Sequence, residues 1–325
     1  MSSSHLILPL ILVSSLAQAG NFTLQDDGKR VTILDTGKPV LTYNYGFIDP
    51  PEEKKADMAE KAPGPRTGYV HPIYGLDGDR LTDDYPSDHL HHRGLFWAWP
   101  LSTIGGKRFD LWLLKDCHSV FVKWLEPPSG GPVAKLAAEN GWVFSATPGV
   151  LVREQVRLVV HPADQAGRAI DVALDFTNVS GGPVTIQGQL DESNGVLKGY
   201  GGLTLRFDGT RQPTVLTNGL GDVPEDIFRA KTPWSDLSSP IKEGGPTSGI
   251  AVFQNSGNPS YPHEGWILRH YGVIGASWPC EAAYNLPPNE TLKLQYRLYV
   301  HRGNVQEGKV AEHFAEYEKE QKKSR

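Results

Sequence analysis

Cysteine is scarce in this chain, with two in 325 residues, Cys117 and Cys280. That excludes a fold held by a disulfide framework and leaves one bridge as the most that can form. Distance along the sequence does not decide between one disulfide and two thiols buried in the core. Apolar runs long enough to cross a bilayer are absent beyond the first twenty residues. An excess of positive charge is lacking too: 32 Lys and Arg stand against 37 Asp and Glu, a formal net charge of −5, so nucleic acid is not an expected partner. Alternating strand–helix units and repeats at solenoid or propeller periods are also missing.

Glycine and proline are plentiful, 35 and 25 residues, and spread along the chain. They imply many turns and a mostly β architecture. At the N-terminus, MSSSHLILPLILVSSLAQAG has an apolar run from Leu6 to Leu16, then Ala17-Gln18-Ala19, a small-x-small pattern. The run is too short for a membrane helix and reads as a signal peptide over residues 1–19, cleaved near Gly20. The expectation is a secreted or periplasmic protein with no membrane span after signal removal, folded as a single domain over 20–325.

From Asn21 the chain has hairpin grammar: FTLQ, VTILD and VLTYNYG, separated by Asp27-Gly28 and Thr36-Gly37. Residues 51–64 are polar and read as a surface excursion, and 66–125, dense in His, Asp, Tyr and Trp, as loops carrying a site. WVFSAT, VLVREQVRLVVH, AIDVALDFTNV and VTIQGQL predict consecutive antiparallel strands. GGLTLRF, GIAVF, WILRHYGVIGASW and TLKLQYRLYVH continue the series. Residues 208–247 read as a long insertion between strands. Asn304 is placed as an N-cap, and Val310, Phe314 and Tyr317 recur at helical spacing, which predicts a helix at about 304–322 with His313 on its surface. The fold class is therefore all-β: a large antiparallel β-sandwich, supersandwich-like, with one C-terminal α-helix.

The densest chemistry lies in DHLHHRG, Asp88 to Gly94. If the segment is extended, His89 and His91 share one face and Asp88 and His92 the other. His-x-His is one way to present two imidazoles to a metal, with His71, Asp83, Asp84 or His118 as third ligand. Against this, Arg93 puts a fixed cation beside a dication, unfavourable unless an anion lies between them. Flat rings beside carboxylates, arginines and imidazoles also suit a sugar cleft, where Trp97, Trp99 and Trp112 would stack on pyranose faces. Alternation in FWAW alternatively puts both Trp97 and Trp99 in the core. No metal is assigned, and no cofactor is identified.

RTGYVHPIYGLDGDRLTDDYPSDHLHHRGLFWAW resembles the hallmark of a secreted, mainly bacterial domain family of long-unassigned function, often labelled methane-oxygenase-like (PmoA-like). The resemblance continues in DESNGVLKGYGGLTLRF, GIAVFQNSGNPSYPHEGWILRHYG and LKLQYRLYVHRG. It implies kinship with sugar-processing supersandwiches of the galactose-mutarotase type and a setting among carbohydrate-degrading bacteria. The oxygenase label fits poorly, because membrane methane monooxygenase works through several apolar spans and this chain has none after its leader.

A carbohydrate partner and an exported carbohydrate-active enzyme, a hydrolase, lyase or epimerase, are therefore expected. A non-catalytic carbohydrate-binding protein and a metal-dependent oxidoreductase are the alternatives. The candidate catalytic residues are His71, His91, His92, Arg93, Glu192 and His263. The candidate substrate-binding residues are Tyr69, Asp88, His89, Trp97, Trp99, Asn194, Arg269 and Tyr271, the last two sharing a strand face opposite His270.

Overall fold

The computed structural model describes residues 20–54, 64–145, 147–193 and 195–323; the expected leader over 1–19 and Asn194 lie outside the described residues. Two large antiparallel sheets dominate. The front sheet has eight strands, in spatial order Phe22–Asp26, Arg30–Asp35, Lys38–Asn44, Tyr69–Ile73, Leu95–Ala98, Gly202–Arg206, Val273–Ser277 and Trp266–Arg269. Its first two hairpins form where the turn pairs predicted them. The Asp27 carboxylate accepts the backbone N–H groups of Lys29 and Arg30 at 2.9 and 2.8 Å. Thr36 and Gly37 both take positive φ, 52° and 78°, as a tight two-residue turn matched to strand twist requires.

The back sheet has nine strands, in spatial order Gly221–Asp222, Val215–Asn218, Trp234–Pro240, Thr247–Gln254, Thr291–Arg302, Gly167–Asn178, Thr147–Val160, Ala134–Phe144 and Cys117–Ser129. Alternation decides which face is buried. Val156, Leu158, Ile170, Val172 and Leu174 point into the sandwich. Between them Arg157 turns outward and meets Asp175 at 3.0 Å. Residues from both sheets join one apolar core, in which Trp99, Trp142 and Phe176 pack with ring centroids 5.1–5.8 Å apart. Each fully buried aliphatic side chain there contributes about 1.5–3 kcal/mol.

Smaller sheets complete the fold: Tyr284–Leu286, Val184–Gln187, Leu101–Ile104 and Lys107–Phe109 make one, and the hairpin Glu192–Ser193 with Val196–Leu197 another. Among the described residues no helix is long and apolar enough to cross a membrane. Cys117 and Cys280 are buried free thiols, each pushed up to about 12 by burial.

Two expectations need correction. Residues 208–247 are not one insertion, because Val215–Asn218, Gly221–Asp222 and Trp234–Pro240 are strands of the back sheet. Their buried positions include Ser235, Asp236, Ser238 and Ser239, so the apolar alternation that marks a strand is missing. The C-terminal helix runs Val310–Lys323, later than expected. Asn304 caps the turn before it, accepting the N–H groups of Gln306 and Glu307 at 3.0 Å. Val310, Phe314 and Tyr317 pack against Phe253 and Tyr299 in a second apolar cluster. The His313 ring is half-buried and stacks on Tyr299 at 4.3 Å.

Candidate functional site

The front sheet turns its other face toward a cavity of about 260 Å³. Pairing aligns Phe96, Thr204, Gly275 and Ile267 in one row across four neighbouring strands. Thr204, Gly275 and Ile267 line the cavity floor, and Phe96 lies beneath its histidine wall, 6.0 Å from the His92 ring. The next row places Arg206 opposite Val273, and Val273 opposite Arg269. The adjacent positions Leu95, Leu203, Ile274 and Leu268 face the core, as a period of two demands.

The wall is built by DHLHHRG, which is turned rather than extended. His89 N–H donates to the Pro86 carbonyl at 3.1 Å, and His92 N–H to the His89 carbonyl at 2.8 Å. The expected two-faced split is therefore lost, and His89, His91 and His92 all line the cavity. Tyr271, His89 and His92 form a stack, with successive centroids 4.8 and 4.7 Å apart and planes within 10°. His91 stands edge-on to His92 at 4.6 Å.

Trp112 adjoins them, edge-on to His92 at 5.7 Å and 5.0 Å from the Tyr200 ring. Its turn is fixed from two sides. Asp110 accepts the N–H groups of Trp112 and Leu113 at 2.8 and 2.9 Å, while buried Arg66 donates to the Leu111 and Trp112 carbonyls.

Burial pushes His91 down to about 3, outweighing the opposing charge of Asp88, and His92 well below the usual range; the neighbouring imidazoles add to both shifts. Both rings are therefore neutral near pH 7, and the buried His92 Nδ1 has no hydrogen-bond partner among the described residues. Burial raises Tyr200 and Tyr271, keeping both phenols protonated.

Lys198 and Arg269 bring positive charge to the lining. Arg269 Nε lies 3.1 Å from Asp226, whose other oxygen accepts from the His270 backbone N–H and contacts its Nδ1, each at 2.8 Å. Asp88 sits at the rim, both of its oxygens contacted by one Arg206 nitrogen at 2.8 and 3.0 Å and one lying 3.0 Å from His89. Burial alone would raise Asp88; the bonds from His89 and Arg206 outweigh it and hold the carboxyl below its ordinary value. Among the described residues lining the cavity, none is Asp or Glu, and no group of three His, Cys, Asp or Glu side chains is placed to hold a metal ion.

Other expected site residues lie elsewhere. Arg93 is wholly buried behind the wall, its guanidinium 3.3 Å over the Tyr85 ring and donating to the Leu90 and His92 carbonyls at 2.8 and 2.7 Å. His71 meets Thr82 Oγ1 at 3.0 Å, and burial pushes it down to about 3. Tyr69 donates to Asp84 at 3.0 Å. Trp97 and Trp99 face the core rather than a cleft, and the Trp99 indole donates to the Trp278 carbonyl at 2.6 Å. Glu192 is exposed on its hairpin. His263 accepts the Gly265 N–H at 3.1 Å, before the strand whose far end carries Arg269.

Lys198, Tyr200, Thr204 and Phe228 line the cavity without having been singled out as site residues. Lys198 and Tyr200 flank a glycine-rich loop whose turn character hid them. Phe228 is a lone ring in a polar stretch and gave no signal.

Over residues 30–315 the sequence matches a family described as a family of unknown function, DUF6807; the methane-oxygenase-like label is not the description that this family carries. No curated protein matches the sequence. Among solved structures, the chain is similar to an α-galactosidase from Lactobacillus brevis at 11% identity and TM-score 0.43, covering 90% of this chain and 40% of that one. The α-galactosidase AgaB from Geobacillus stearothermophilus gives 11% identity and TM-score 0.44, with coverage of 88% and 39%. A heparan sulfate lyase HepC mutant from Pedobacter heparinus gives 10% and 0.37, with coverage of 89% and 36%. The chain thus spans less than half the length of each of these three.

Proposed function

We propose that this chain, which belongs to the DUF6807 family of unknown function, is an exported carbohydrate-active enzyme that works at the histidine-walled cavity by proton transfer. One observation carries the reading: two imidazoles, His89 and His92, and the Tyr271 phenol are stacked in a cavity that Trp112 and Tyr200 also wall. Aromatic walls take the apolar face of a pyranose, while the imidazoles and phenols meet its hydroxyls. Its volume of about 260 Å³ is on the scale of one or two sugar rings.

Reaction class follows from the lining. Glycoside hydrolysis ordinarily uses two carboxyl groups flanking the bond. Here the two rim carboxylates, Asp88 and Asp226, are engaged by Arg206 and Arg269. Neutral His91 and His92 instead each carry an unprotonated ring nitrogen that can accept a proton, and Tyr271 keeps a phenol proton to give. That combination serves β-elimination or epimerisation.

The test is a glycan screen read three ways: absorbance at 235 nm for unsaturated product, new reducing ends, and inversion at carbon. We expect unsaturated or epimerised product with the parent protein and none with His91→Ala or His92→Ala variants whose circular dichroism is unchanged. Reducing ends without unsaturation would overturn proton transfer at carbon, and full activity in both variants would overturn the site. Binding without turnover in every format would favour the carbohydrate-binding alternative.

A further inference from the structure

We infer that the substrate is an acidic sugar whose ring carboxylate is held between Lys198 and Arg269. The inference rests on the proton-transfer reading above and adds the substrate's charge to it.

Charge in the cavity is one-sided. Lys198 and Arg269 both reach its lining, and none of the described residues there is acidic. Asp226 meets Arg269 through its Nε and spends its other oxygen on His270. Lys198 has no ion-pair partner among the described residues; its backbone N–H is tied to the Asp191 carbonyl at 2.8 Å, which fixes the stem of the side chain at the cavity mouth. Arg269 lies against the rings of Phe228 and Tyr271, its guanidinium carbon 5.0 and 5.7 Å from their centroids. A planar cation matches a planar carboxylate.

A second observation is the His92 ring. It is 97% buried, lines the same cavity, and its Nδ1 lacks a partner among the described residues. A polar nitrogen left without a partner at that depth is unfavourable. Removing a proton from a sugar carbon also requires a neighbouring group that takes up the electron pair, and a ring carboxylate is such a group once cations neutralise it.

The elimination balances without a co-reactant. An imidazole takes the C5 proton, and the electron pair passes into the neutralised carboxylate. The pair then forms the C4=C5 double bond as the C4–O bond breaks, and the oxygen leaves with a proton from a phenol. In epimerisation the C4–O bond stays intact: a phenol gives its own proton to C5 on the opposite face, and the imidazole keeps the proton it took. Arrival of the anion also favours the protonated imidazole, so the substrate itself strengthens the base that attacks it.

Isothermal titration calorimetry with paired ligands tests the charge. The first series is oligosaccharides from pectin, alginate and hyaluronan; the second is the same after reduction of every carboxylate to a primary alcohol; a third is sulfated galactan oligosaccharides without uronate. We expect at least one uronate ligand to bind about tenfold or more tighter than its reduced twin, as a desolvated charge-assisted pair implies. Lys198→Gln, on a half-buried site with no ion pair to break, should narrow that ratio without changing the melting temperature, and Arg269→Gln should narrow it further. Equal binding of reduced twins would overturn the acidic-sugar inference and leave the sugar site standing. Preference for the sulfated series would overturn the carboxylate assignment. No binding by any series would overturn both the inference and the reading beneath it.

Discussion

His92 and His301 are both buried histidines, the first in the turn before the front-sheet strand Leu95–Ala98 and the second on the back-sheet strand Thr291–Arg302, and their surroundings drive them in opposite directions. His301 meets the buried Asp236 carboxylate at 2.7 Å. It reaches across the intervening strand over Gly249, where a Cβ would come within 2.6 Å of the ring. Burial alone would lower His301, but the Asp236 charge and hydrogen bond outweigh it and its proton is held more firmly than usual. His92 has no carboxylate against it, burial is unopposed, and the ring is neutral. Depth with a counter-charge makes a closed structural pair, whereas depth without one makes a group ready for a ligand.

Asp236→Asn should break this contrast with the largest effect. It leaves His301 buried without its counter-charge, and the expected loss is about 3–5 kcal/mol in urea denaturation. A loss below about 1 kcal/mol would show that the pair is not structural.

Arg206→Met attacks the other side. It removes the cation that anchors Asp88 at the rim and lies 5.0 Å over the Tyr271 ring. About 1–3 kcal/mol of stability should go with those bonds, and ligand affinity should fall at least about tenfold as the histidine wall loosens. Unchanged affinity in calorimetry would mean that the wall stands without it.

His92→Gln should be quieter in stability, within about 1 kcal/mol at pH 7, yet should abolish turnover. Separation of the two readouts is what sharpens the comparison. A stability loss as large as that of Asp236→Asn would place His92 with the structural group.

Acid provides the last test. His91 is lowered from 6.5 to about 3 in the folded chain, so between those values only the unfolded chain binds its proton. Its contribution therefore favours folding above pH 6.5 and is lost as the pH falls through that window. His91→Gln should flatten the acid limb of stability by on the order of 1 kcal/mol per pH unit, measured by urea denaturation at pH 4, 5 and 7. His301 has the reverse sign: its raised value makes its contribution full below 6.5 and lost as the pH climbs through the folded value. Removing it should leave the acid limb no flatter.

Alternation made most of the sandwich readable. Val156, Leu158 and Val160 sit on the buried face that their spacing predicts, as do Val172 and Leu174. The strand Trp234–Pro240 escaped because its buried positions include Ser235, Asp236, Ser238 and Ser239, and the His301 partner of Asp236 is supplied only by the folded chain. The imidazole density of DHLHHRG and the i, i+2 spacing of Arg269 and Tyr271 both pointed toward the cavity that these residues line. Arg93 shares the local composition but faces Tyr85, since chemistry along a turn does not reveal direction. In FWAW the alternation was the better guide: Trp97 and Trp99 belong to the core, and Phe96, also buried, packs beneath the His92 ring.

The cavity floor has a low point, and a missing side chain makes it. Gly275 sits mid-strand between Thr204 and Ile267, where a Cβ would be in contact with side-chain atoms of Ser277, Ile267 and Thr204 at 3.3–3.5 Å. Glycine weakens a strand, and its use where a ligand approaches leaves bare backbone as a ledge. An alanine at this position would fill one methyl's worth of the floor and raise the bottom of the well. On the proposed reading, that makes Gly275 the position at which ligand size is set.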